Sequence, residues 1–315
     1  MPPIASVDVP ASSANLGSGY DCFAAALSLK LRVELHRGDE PGILLNAHGE
    51  GAPSAQDDPD QNLIIRAFRE GLRAAHGNIG GSGAWRLEVS SMIPAARGLG
   101  SSAAAIVSGL LLGASVGRSA PSADDLLELA AGLEGHPDNV SAAMYGGFTL
   151  AVSTETQRLA FRRFRVPEAW IPVLFIAGIE SRTTEMRAVL PGHVAHRDAA
   201  KQAGRSALLA TAILTSDAGL LAEAMRDTLH QPYRLPRLPG TAELIDLAYE
   251  RGAAGACLSG AGPSVLAICD SPITAHAVEK AWNAAEVAGM ATRLRFDTTG
   301  ARLTAAESPA AGDDA

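Results

Sequence analysis

Gly98 and Gly100 stand directly ahead of Ser101 and Ser102 in the stretch PAARGLGSSAAA, an arrangement suited to holding a phosphate group. Glycine reaches backbone conformations that other residues avoid and lets a ligand come close, while serine often caps the start of a helix. A helix N-terminus offers unpaired N–H groups and the positive end of its dipole to an anion. The alternative is a tight turn before an alanine-rich helix, and the motif lacks the Gly-Lys-[Ser/Thr] ending of a Walker A loop. Because Pro94 introduces the Gly-Leu-Gly-Ser-Ser order, we favour phosphate binding.

A second stretch, SSANLGSGYD, presents Asn15 and Asp21 in a loop that Gly17 and Gly19 loosen. An aspartate flanked by glycine is often only a turn former. The apolar residues CFAAAL follow at once, so Asp21 is expected at the edge of the core. This position favours a ligand-facing carboxylate over a plain turn.

Four polar residues crowd the stretch EGHPDN beside an apolar helix: Glu134, His136, Asp138 and Asn139. Asp138 or Asn139 could simply cap the next helix. A metal site built on His136 is not favoured, because no second His or Cys stands at ligand spacing. Magnesium needs only one or two carboxylates in addition to phosphate oxygens, and Glu134 can supply one.

A further glycine stretch, SGAGPS at 259–264, separates two apolar segments and carries little side-chain mass. A β-hairpin turn is the simple interpretation. The loop is longer than a tight hairpin needs, so the close approach of a ligand is the alternative.

The composition of the 315 residues argues against several classes of function. The chain is 47% hydrophobic and 19% charged, so it can bury a large core and is not a disordered protein. Its net charge of −8 argues against binding to nucleic acid or to a membrane surface. We expect neither a secretory leader nor a membrane span, since no apolar run approaches roughly 20 residues. The three cysteines lack metal-ligand spacing, which favours buried reduced thiols in a cytoplasmic protein.

Strand-like and helix-like segments mix along the chain without strict alternation, which predicts an α+β fold rather than a doubly wound sheet. The predicted strands are 4–9, 29–37, 42–49, 85–92, 146–154, 158–166, 172–178, 255–260, 264–269 and 291–296. The predicted helices are 61–77, 101–117, 122–133, 137–145, 196–215, 217–229, 240–252 and 272–289. The Pro-rich stretch at 166–172 is interpreted as a domain boundary, and the small, acidic tail at 305–315 is predicted to be disordered.

Together the glycine motifs, in this order and spacing, resemble those of the GHMP small-molecule kinases. That family includes galactokinase, homoserine kinase, mevalonate kinase and phosphomevalonate kinase. The stretches SSANLGSGYD, EGHPDN, SRTTEMRAVLP and LHQPYRLPRLPG are similar to the homoserine kinase branch in particular, and the resemblance covers residues 4–297. It implies ATP-dependent phosphorylation of the side-chain hydroxyl of L-homoserine to O-phospho-L-homoserine, a step of threonine biosynthesis.

The resemblance also implies a two-lobed fold with the active site between the lobes. The first lobe, at 1–166, is expected to bind ATP and to resemble the second domain of ribosomal protein S5. The second lobe, at 167–304, is expected to be ferredoxin-like and to complete the substrate site. Members of the family are often dimers, so the resemblance leaves a homodimer open.

Site residues for ATP and Mg²⁺ follow from the same resemblance. The ATP-binding residues it implies are Asn62, Pro94, Arg97, Gly98, Leu99, Gly100, Ser101 and Ser102. It places Mg²⁺ between the phosphates, Ser102 and Glu134. Asn62 is matched to a residue near the adenine, although capping the helix that starts there is an equal alternative.

Substrate residues are also implied by the resemblance. Homoserine is a zwitterion, so its site needs a carboxylate for the ammonium group and a planar guanidinium for the carboxylate. Asp21 with Asn15 is matched to the ammonium end, and Arg187 with Arg234 to the carboxylate. The remaining matched positions are Thr183, His136 and Asn139.

The catalytic base is an open point. Some relatives use an Asp and a Lys near the attacking hydroxyl, and the position resembling that Asp is Asn139 here. Nothing in the sequence places Lys30 at the γ-phosphate. Phosphoryl transfer can proceed by positioning and charge stabilisation, so we hypothesise that no side chain acts as a strong base. Asn139 and Arg187 are the residues predicted to serve catalysis.

Two residues depart from the common homoserine kinase pattern, which has Pro and Phe where this sequence has Ser18 and Tyr20. Ser18 makes the loop less rigid, because Pro restricts φ. The Tyr20 hydroxyl needs a partner if it is buried. The alternatives left open are a kinase for another small hydroxy-amino acid or alcohol, and a non-catalytic nucleotide-binding sensor on the same fold.

Overall fold

The structure is a computed structural model that describes residues 2–50, 60–76, 83–156 and 158–305. Within these ranges the strands form one seven-stranded and one four-stranded sheet. The first sheet consists of β1 (Ala5–Ala14), β2 (Phe23–Arg37), β3 (Gly42–Gly49), β4 (Ala84–Ser91), β5 (Phe148–Ser153), β6 (Leu159–Phe164) and β11 (Arg302–Ala305). The second consists of β7 (Ile171–Ala177), β8 (Gly255–Leu258), β9 (Val265–Cys269) and β10 (Gly289–Arg293).

Helices pack on both sheets and connect their strands. They are α1 (Leu63–His76), α2 (Ser101–Ser115), α3 (Ala123–Glu134), α4 (Asp138–Tyr145), α5 (Thr183–Ala188), α6 (His196–Thr215), α7 (Leu221–Ala224), α8 (Gln231–Arg234), α9 (Thr241–Glu250) and α10 (Pro272–Ala284). The predicted α+β class is confirmed.

The first sheet has the order β11-β1-β2-β4-β3, with β5 paired to the start of β2 and β6 paired to β5. Strands β1 and β2 are longer than predicted, since they run antiparallel from the pair Ala5–Leu35 to the pair Ala14–Ala24. The serines and alanines at the ends of these strands carry little β-propensity, but the paired strands bury them. The connection between these strands is therefore confined to residues 15–22, whereas the predicted strand ends at 9 and 29 left a longer one.

The second sheet is antiparallel with the order β10-β7-β9-β8. Numbered along the chain, its strands stand in the order four-one-three-two, which is the ferredoxin-like arrangement expected for this part of the chain. Its core is apolar and includes Trp282 of α10, whose indole N–H donates to the Leu244 carbonyl at 2.7 Å. The division of the chain at residue 166 stays a prediction, and β11 returns to the first sheet.

The small residues of α2 allow α1 to lie against it at short range. A Cβ at Gly109 would stand 2.4 Å from the Ile64 carbonyl oxygen, and one at Gly113 would stand 2.1 Å from that of Phe68. Helix packing therefore accounts for the glycines in the body of α2. Gly98 and Gly100, which precede α2, are explained instead by the geometry of the candidate site.

Two helix predictions were wrong in part. The segment 217–229 is not one helix, because the Asp227 carboxylate accepts the backbone N–H groups of Leu229, His230 and Gln231 at 2.8, 2.8 and 2.6 Å and folds the chain into a turn after α7. Helix α10 ends at Ala284 rather than at residue 289. The short helix α5 was not predicted.

The remaining expectations concern the tail, the cysteines and the membrane. Ala305 ends β11, and the rest of the predicted tail lies outside the described residues. All three cysteines are free; Cys257 and Cys269 are buried and Cys22 is half-buried. Among the described helices, not one combines the length and the apolar character needed to cross a bilayer.

Candidate active site

A cleft of about 670 Å³ is lined by the connections that follow β1, precede α2, join α3 to α4, surround α5 and join β8 to β9. Thirteen predicted site residues line it: Asn15, Asp21, Gly98, Leu99, Gly100, Ser101, Ser102, Glu134, His136, Asn139, Thr183, Arg187 and Arg234. The turns of both sheets thus bring together residues that lie up to 219 positions apart in the chain, from Asn15 to Arg234.

The phosphate loop, residues 94–102, leaves the start of α2 open to a ligand. Gly100 precedes the helix with a φ of 67°, no side chain caps the helix N-terminus and no acidic residue lies in its first turn. A Cβ at Gly100 would stand 2.1 Å from the Ser12 hydroxyl oxygen. The Ser259 hydroxyl donates to the Gly98 carbonyl at 2.7 Å, so the β8–β9 hairpin holds the loop in place. The free N–H groups at the start of α2 have the geometry and dipole that suit an anion.

Ser102 and Glu134 meet at one end of the phosphate loop. The Ser102 hydroxyl donates to Glu134 Oε1 at 2.5 Å. Burial raises the pKa of Glu134, although the Ser102 hydrogen bond opposes this rise. Among the described residues, no group of three His, Cys, Asp or Glu side chains could hold a metal ion. A hydroxyl and one carboxylate fit Mg²⁺ when phosphate oxygens supply the other ligands.

His136 lies between two carboxylates of the EGHPDN stretch. Its Nδ1 is 2.6 Å from Asp138 Oδ1, and its Nε2 is 3.8 Å from Glu134 Oε1. Burial by itself lowers the pKa of His136, but the hydrogen bond and charge of Asp138 outweigh burial and raise it. Asp138 also accepts the backbone N–H of Asn139 at 2.7 Å, so it orients both neighbours.

Asn139 faces the phosphate loop from the start of α4. Its Oδ1 accepts the Ser12 hydroxyl at 2.8 Å and would be 3.0 Å from a Cβ at Gly100. The amide nitrogen of Asn139 has no hydrogen-bond partner among the described residues, which leaves a donor for a ligand. An amide does not accept a proton as a carboxylate does.

Asp21 and Arg187 form a two-point ion pair in the cleft. Arg187 Nη2 donates to Asp21 Oδ1 at 2.7 Å, and Nη1 donates to Oδ2 at 2.9 Å. The hydrogen bond to Asp21 raises the pKa of Arg187. Arg187 Nη1 also donates to the Tyr20 hydroxyl at 3.0 Å. The sequence predicted Asp21 and Arg187 as binders of opposite charges on one ligand, and in the structure they bind each other.

Asn15 fixes the turn that carries Asp21. Its Oδ1 accepts the Asp21 backbone N–H at 3.0 Å, and its Nδ2 donates to the Gly260 carbonyl at 2.8 Å. Asn15 and Asp21 have positive φ values of 69° and 55°, which are uncommon for residues other than glycine. Such strain is concentrated at functional sites. The hydrogen bonds of Asn15 are thus used to hold the Asp21 turn in place.

Arg234 is a deeply buried cation of the cleft, with 1% of its surface exposed. Its Nε donates to the Met186 carbonyl at 3.2 Å, and its Nη1 donates to His230 Nδ1 at 3.2 Å. Burial lowers the pKa of Arg234. The guanidinium also lies 5.5 Å from the centre of the Tyr20 ring, so one ring lies near both arginines of the pocket.

Three predicted ATP-binding residues are not among the residues that line the cleft in the described part of the chain. Asn62 caps α1, with Oδ1 accepting the N–H groups of Ile64 and Ile65 at 3.0 and 3.2 Å. Arg97 pairs with Glu180 at 3.3 Å, and Pro94 lies in the loop before it. Lys30, which the sequence did not place in the site, forms an ion pair with Asp297 at 2.5 Å.

Comparison with known proteins decides the family. Residues 62–147 match the GHMP kinases N terminal domain, and residues 209–288 match GHMP kinases C terminal. A homoserine kinase of Synechococcus sp. (strain CC9311) is 38% identical over 301 residues, which cover 93% of this chain and 94% of the relative. One of Caldicellulosiruptor bescii is 38% identical over 270 residues, 84% of each chain. The chain belongs to the homoserine kinase family.

Solved structures agree with that family assignment. A homoserine kinase from Cytophaga hutchinsonii superposes with a TM-score of 0.84 at 25% identity, over 96% of this chain and 98% of that one. Mevalonate kinase from L. major superposes with a TM-score of 0.64 at 17% identity, over 95% of each chain. The second likeness concerns the fold alone.

In this member of the homoserine kinase family the cleft also contains residues that the sequence did not assign to it. Ser181, Arg182 and Thr184 line it beside the predicted Thr183. A helical pattern in the sequence could not have assigned them to the cleft, because α5 spans only six residues. The sequence identified Tyr20 only as a departure from the family pattern. Its hydroxyl needed a hydrogen-bond partner, and this need was the signal that could have predicted its contact with Arg187.

Proposed function

We propose that this protein transfers the γ-phosphoryl group of ATP to the side-chain hydroxyl of L-homoserine, giving O-phospho-L-homoserine for threonine biosynthesis. The observation that carries the proposal is the Asp21–Arg187 ion pair in the same cleft as the open N-terminus of α2. An amino acid presents an ammonium and a carboxylate together, and this pair offers one partner for each. A neutral sugar has no such charges, so the pair favours an amino acid.

In the proposed complex, each charged group of the substrate replaces one half of the ion pair. Asp21, held by Asn15, binds the ammonium group, and Arg187 with the buried Arg234 binds the carboxylate. Thr183, His136 and Asn139 complete the pocket around the chain that carries the hydroxyl. This orientation leaves the hydroxyl end for the phosphate loop.

The phosphates of ATP are proposed to lie on the loop that begins α2. The backbone N–H groups at Gly98, Leu99, Gly100, Ser101 and Ser102 bind them, and Pro94 and Arg97 of the same loop contribute to ATP binding. Asn62 lies near the adenine. Ser102 and Glu134 are the residues that would hold Mg²⁺, which would neutralise phosphate charge during transfer. Arg187 and Asn139 serve catalysis by orienting the substrate and donating hydrogen bonds.

No side chain is proposed as a strong base. Asn139 occupies the position nearest to that role and is an amide, while Asp21 and Asp138 are both held in hydrogen-bonded pairs. Phosphoryl transfer with a loose transition state needs positioning and charge stabilisation more than early proton removal. The two lobes at 1–166 and 167–304, and the homodimer that the family leaves open, stay predictions.

The test is ATP turnover, measured as ADP release, with L-homoserine, L-serine, mevalonate and galactose as acceptors. We expect kcat/KM for L-homoserine to exceed that of mevalonate and that of galactose by at least about a hundredfold, since a missing charged partner costs roughly 2–3 kcal/mol. L-Serine carries both charges but is one methylene shorter, so its kcat/KM should be lower by at least about tenfold. Preferential turnover of galactose or mevalonate would contradict the proposal. ATP binding without turnover of any acceptor would instead favour the nucleotide sensor.

A further inference from the structure

The Tyr20 hydroxyl is hydrogen-bonded to the arginine that the proposed function assigns to the substrate carboxylate. Arg187 Nη1 donates to this oxygen at 3.0 Å, while the same nitrogen and Nη2 hold Asp21. Tyr20 stands where the resemblance to homoserine kinases implies a Phe, so this hydroxyl is an addition to that pattern. The hydroxyl shares Arg187 Nη1 with Asp21, and a side-chain hydrogen bond also links Tyr20 to Asp21.

Arg187 has enough donors to keep Tyr20 when its carboxylate partner changes. A guanidinium Nη atom carries two hydrogens, so one hydrogen of Nη1 reaches Tyr20 while the other joins Nη2 in the two-point contact with Asp21. A substrate carboxylate can occupy the two-point contact with the same planar geometry. Asp21 is then released to the ammonium group, and Tyr20 is the side-chain hydrogen-bond partner that Arg187 keeps.

The Tyr20 ring is held by rigid, buried neighbours. It stacks on His230 with ring centres 5.3 Å apart, and His230 is fully buried. His230 Nε2 is 3.0 Å from the Gly17 carbonyl, which fixes the imidazole to the same turn that carries Tyr20. The guanidinium of Arg234 lies 5.5 Å from the ring centre. The hydroxyl is therefore presented from a fixed ring rather than from a mobile side chain.

We propose that Tyr20 is a positioning residue that keeps the Arg187 guanidinium in its carboxylate-binding orientation while Asp21 changes partner, and that it thereby favours substrates with an α-carboxylate. This inference rests on the proposed function. Burial and the nearby Asp21 charge raise the pKa of Tyr20, so the hydroxyl stays neutral and can accept the Arg187 N–H at neutral pH. Phe at this position would leave the packing in place and remove the oxygen.

The experiment compares the wild type with Tyr20→Phe on three ligands. L-homoserine is measured as substrate; L-2-aminobutyrate, which lacks the hydroxyl, and 3-aminopropan-1-ol, which lacks the carboxylate, are measured as competitive inhibitors of its turnover. We expect KM for L-homoserine and Ki for L-2-aminobutyrate to rise about five- to tenfold, since one hydrogen bond to a charged group is lost. We expect kcat and the Ki of 3-aminopropan-1-ol to stay within twofold.

Tyr145→Phe is the matched control, because its hydroxyl donates to the Ala123 carbonyl at 3.2 Å outside the cleft. It should change none of the three constants. A Tyr20→Phe enzyme with unchanged constants, or one in which all three ligands weaken equally, overturns the inference and leaves the proposed function standing. A wild-type enzyme that does not phosphorylate L-homoserine overturns the proposed function first.

Discussion

Asp21 and Arg187 neutralise each other through two hydrogen bonds of 2.7 and 2.9 Å. Their side chains are 33% and 36% exposed, so solvent screens the pair and its contribution to stability is about 0–1 kcal/mol. A ligand that offers both charges can therefore replace the pair at little cost. The pair also keeps each charge oriented before the ligand arrives, which lowers the entropic cost of binding.

Replacing Asp21 by Asn tests the role of this carboxylate. The variant keeps the shape of the side chain and loses the charge that the ammonium group needs. We expect KM for L-homoserine to rise roughly 10- to 100-fold, because a charged hydrogen bond contributes about 1.5–3 kcal/mol. The KM for ATP and the midpoint of thermal unfolding should change little, because the exposed ion pair adds little stability.

A second exposed Asp–Arg pair supplies the control for this substitution. Asp8 and Arg32 lie 3.0 Å apart on the first sheet, with side chains 36% and 44% exposed. Asp8→Asn should leave both KM values within twofold. An Asp21→Asn enzyme whose KM for L-homoserine equals that of the wild type would remove Asp21 from the substrate site.

Gly100→Ala tests the phosphate loop. A Cβ there would stand 2.1 Å from the Ser12 hydroxyl oxygen and 3.0 Å from Asn139 Oδ1, at a φ of 67° that disfavours side chains. We expect a loss of stability of about 1–3 kcal/mol and a rise of at least tenfold in KM for ATP, because the loop must move to relieve the contact. Denaturant unfolding and steady-state kinetics measure the two effects.

Gly204→Ala is the matched control on the exposed face of α6, where an added Cβ meets no atom within 4 Å. That change should raise stability slightly, since alanine favours a helix over glycine by about 1 kcal/mol. If Gly100→Ala and Gly204→Ala had the same KM for ATP, the loop would tolerate a side chain at residue 100, and the predicted role of Gly100 would be wrong.

The phosphate motif and the carboxylate of Asp21 could be predicted from the sequence because their residue types are contiguous and have local meaning. The length of the connection between β1 and β2 could not be predicted. The serines and alanines at the ends of these strands adopt the strand conformation only through pairing across the sheet. The helix predicted at 217–229 failed because Asp227 draws three backbone N–H groups into a turn. The mutual pairing of Asp21 and Arg187 depends on long-range folding and has no local signal.

Arg182 lines the cleft, and its guanidinium has no hydrogen bond or ion pair among the described residues. The residues just before Arg182 contact the phosphate loop. The Ser181 N–H donates to the Ala96 carbonyl at 2.9 Å, and Glu180 forms an ion pair with Arg97 at 3.3 Å. Among the described arginines that line the cleft, Arg187 and Arg234 have hydrogen-bond partners, so Arg182 is the one whose guanidinium has free donors for the phosphates proposed to bind there. Charge on the transferred phosphoryl group is stabilised by such a cation.

Arg182→Gln is therefore expected to lower kcat roughly tenfold or more while KM for L-homoserine stays within about twofold. Steady-state kinetics at saturating ATP measure both constants. Arg251→Gln changes an exposed arginine at the end of α9 and should have no effect. A rise in KM for L-homoserine at unchanged kcat would place Arg182 at the amino acid instead.

His230 makes stability depend on pH through its burial. Its Nδ1 accepts from Arg234 Nη1 at 3.2 Å, so its proton is on Nε2, which donates to the Gly17 carbonyl at 3.0 Å. Burial, which outweighs the charge of Asp227, lowers the pKa of His230 from 6.5 to about 4. Between these values the unfolded chain binds a proton that the folded protein does not, so stability falls as pH falls from 6.5 to 4.

His230→Gln removes this titration and keeps an N–H for the Gly17 carbonyl. At pH 7 the variant is expected to be the less stable protein, because it loses the stacking on Tyr20. Between pH 7 and pH 4.5 the difference in the free energy of unfolding should shrink by about 2–3 kcal/mol, since each unit of pKa difference corresponds to 1.36 kcal/mol. Urea unfolding of both proteins over this range measures it. Other titrating groups, including His136 with its raised pKa, are common to both proteins and cancel. Parallel stability curves would mean that His230 binds its proton equally well in the folded and unfolded chain.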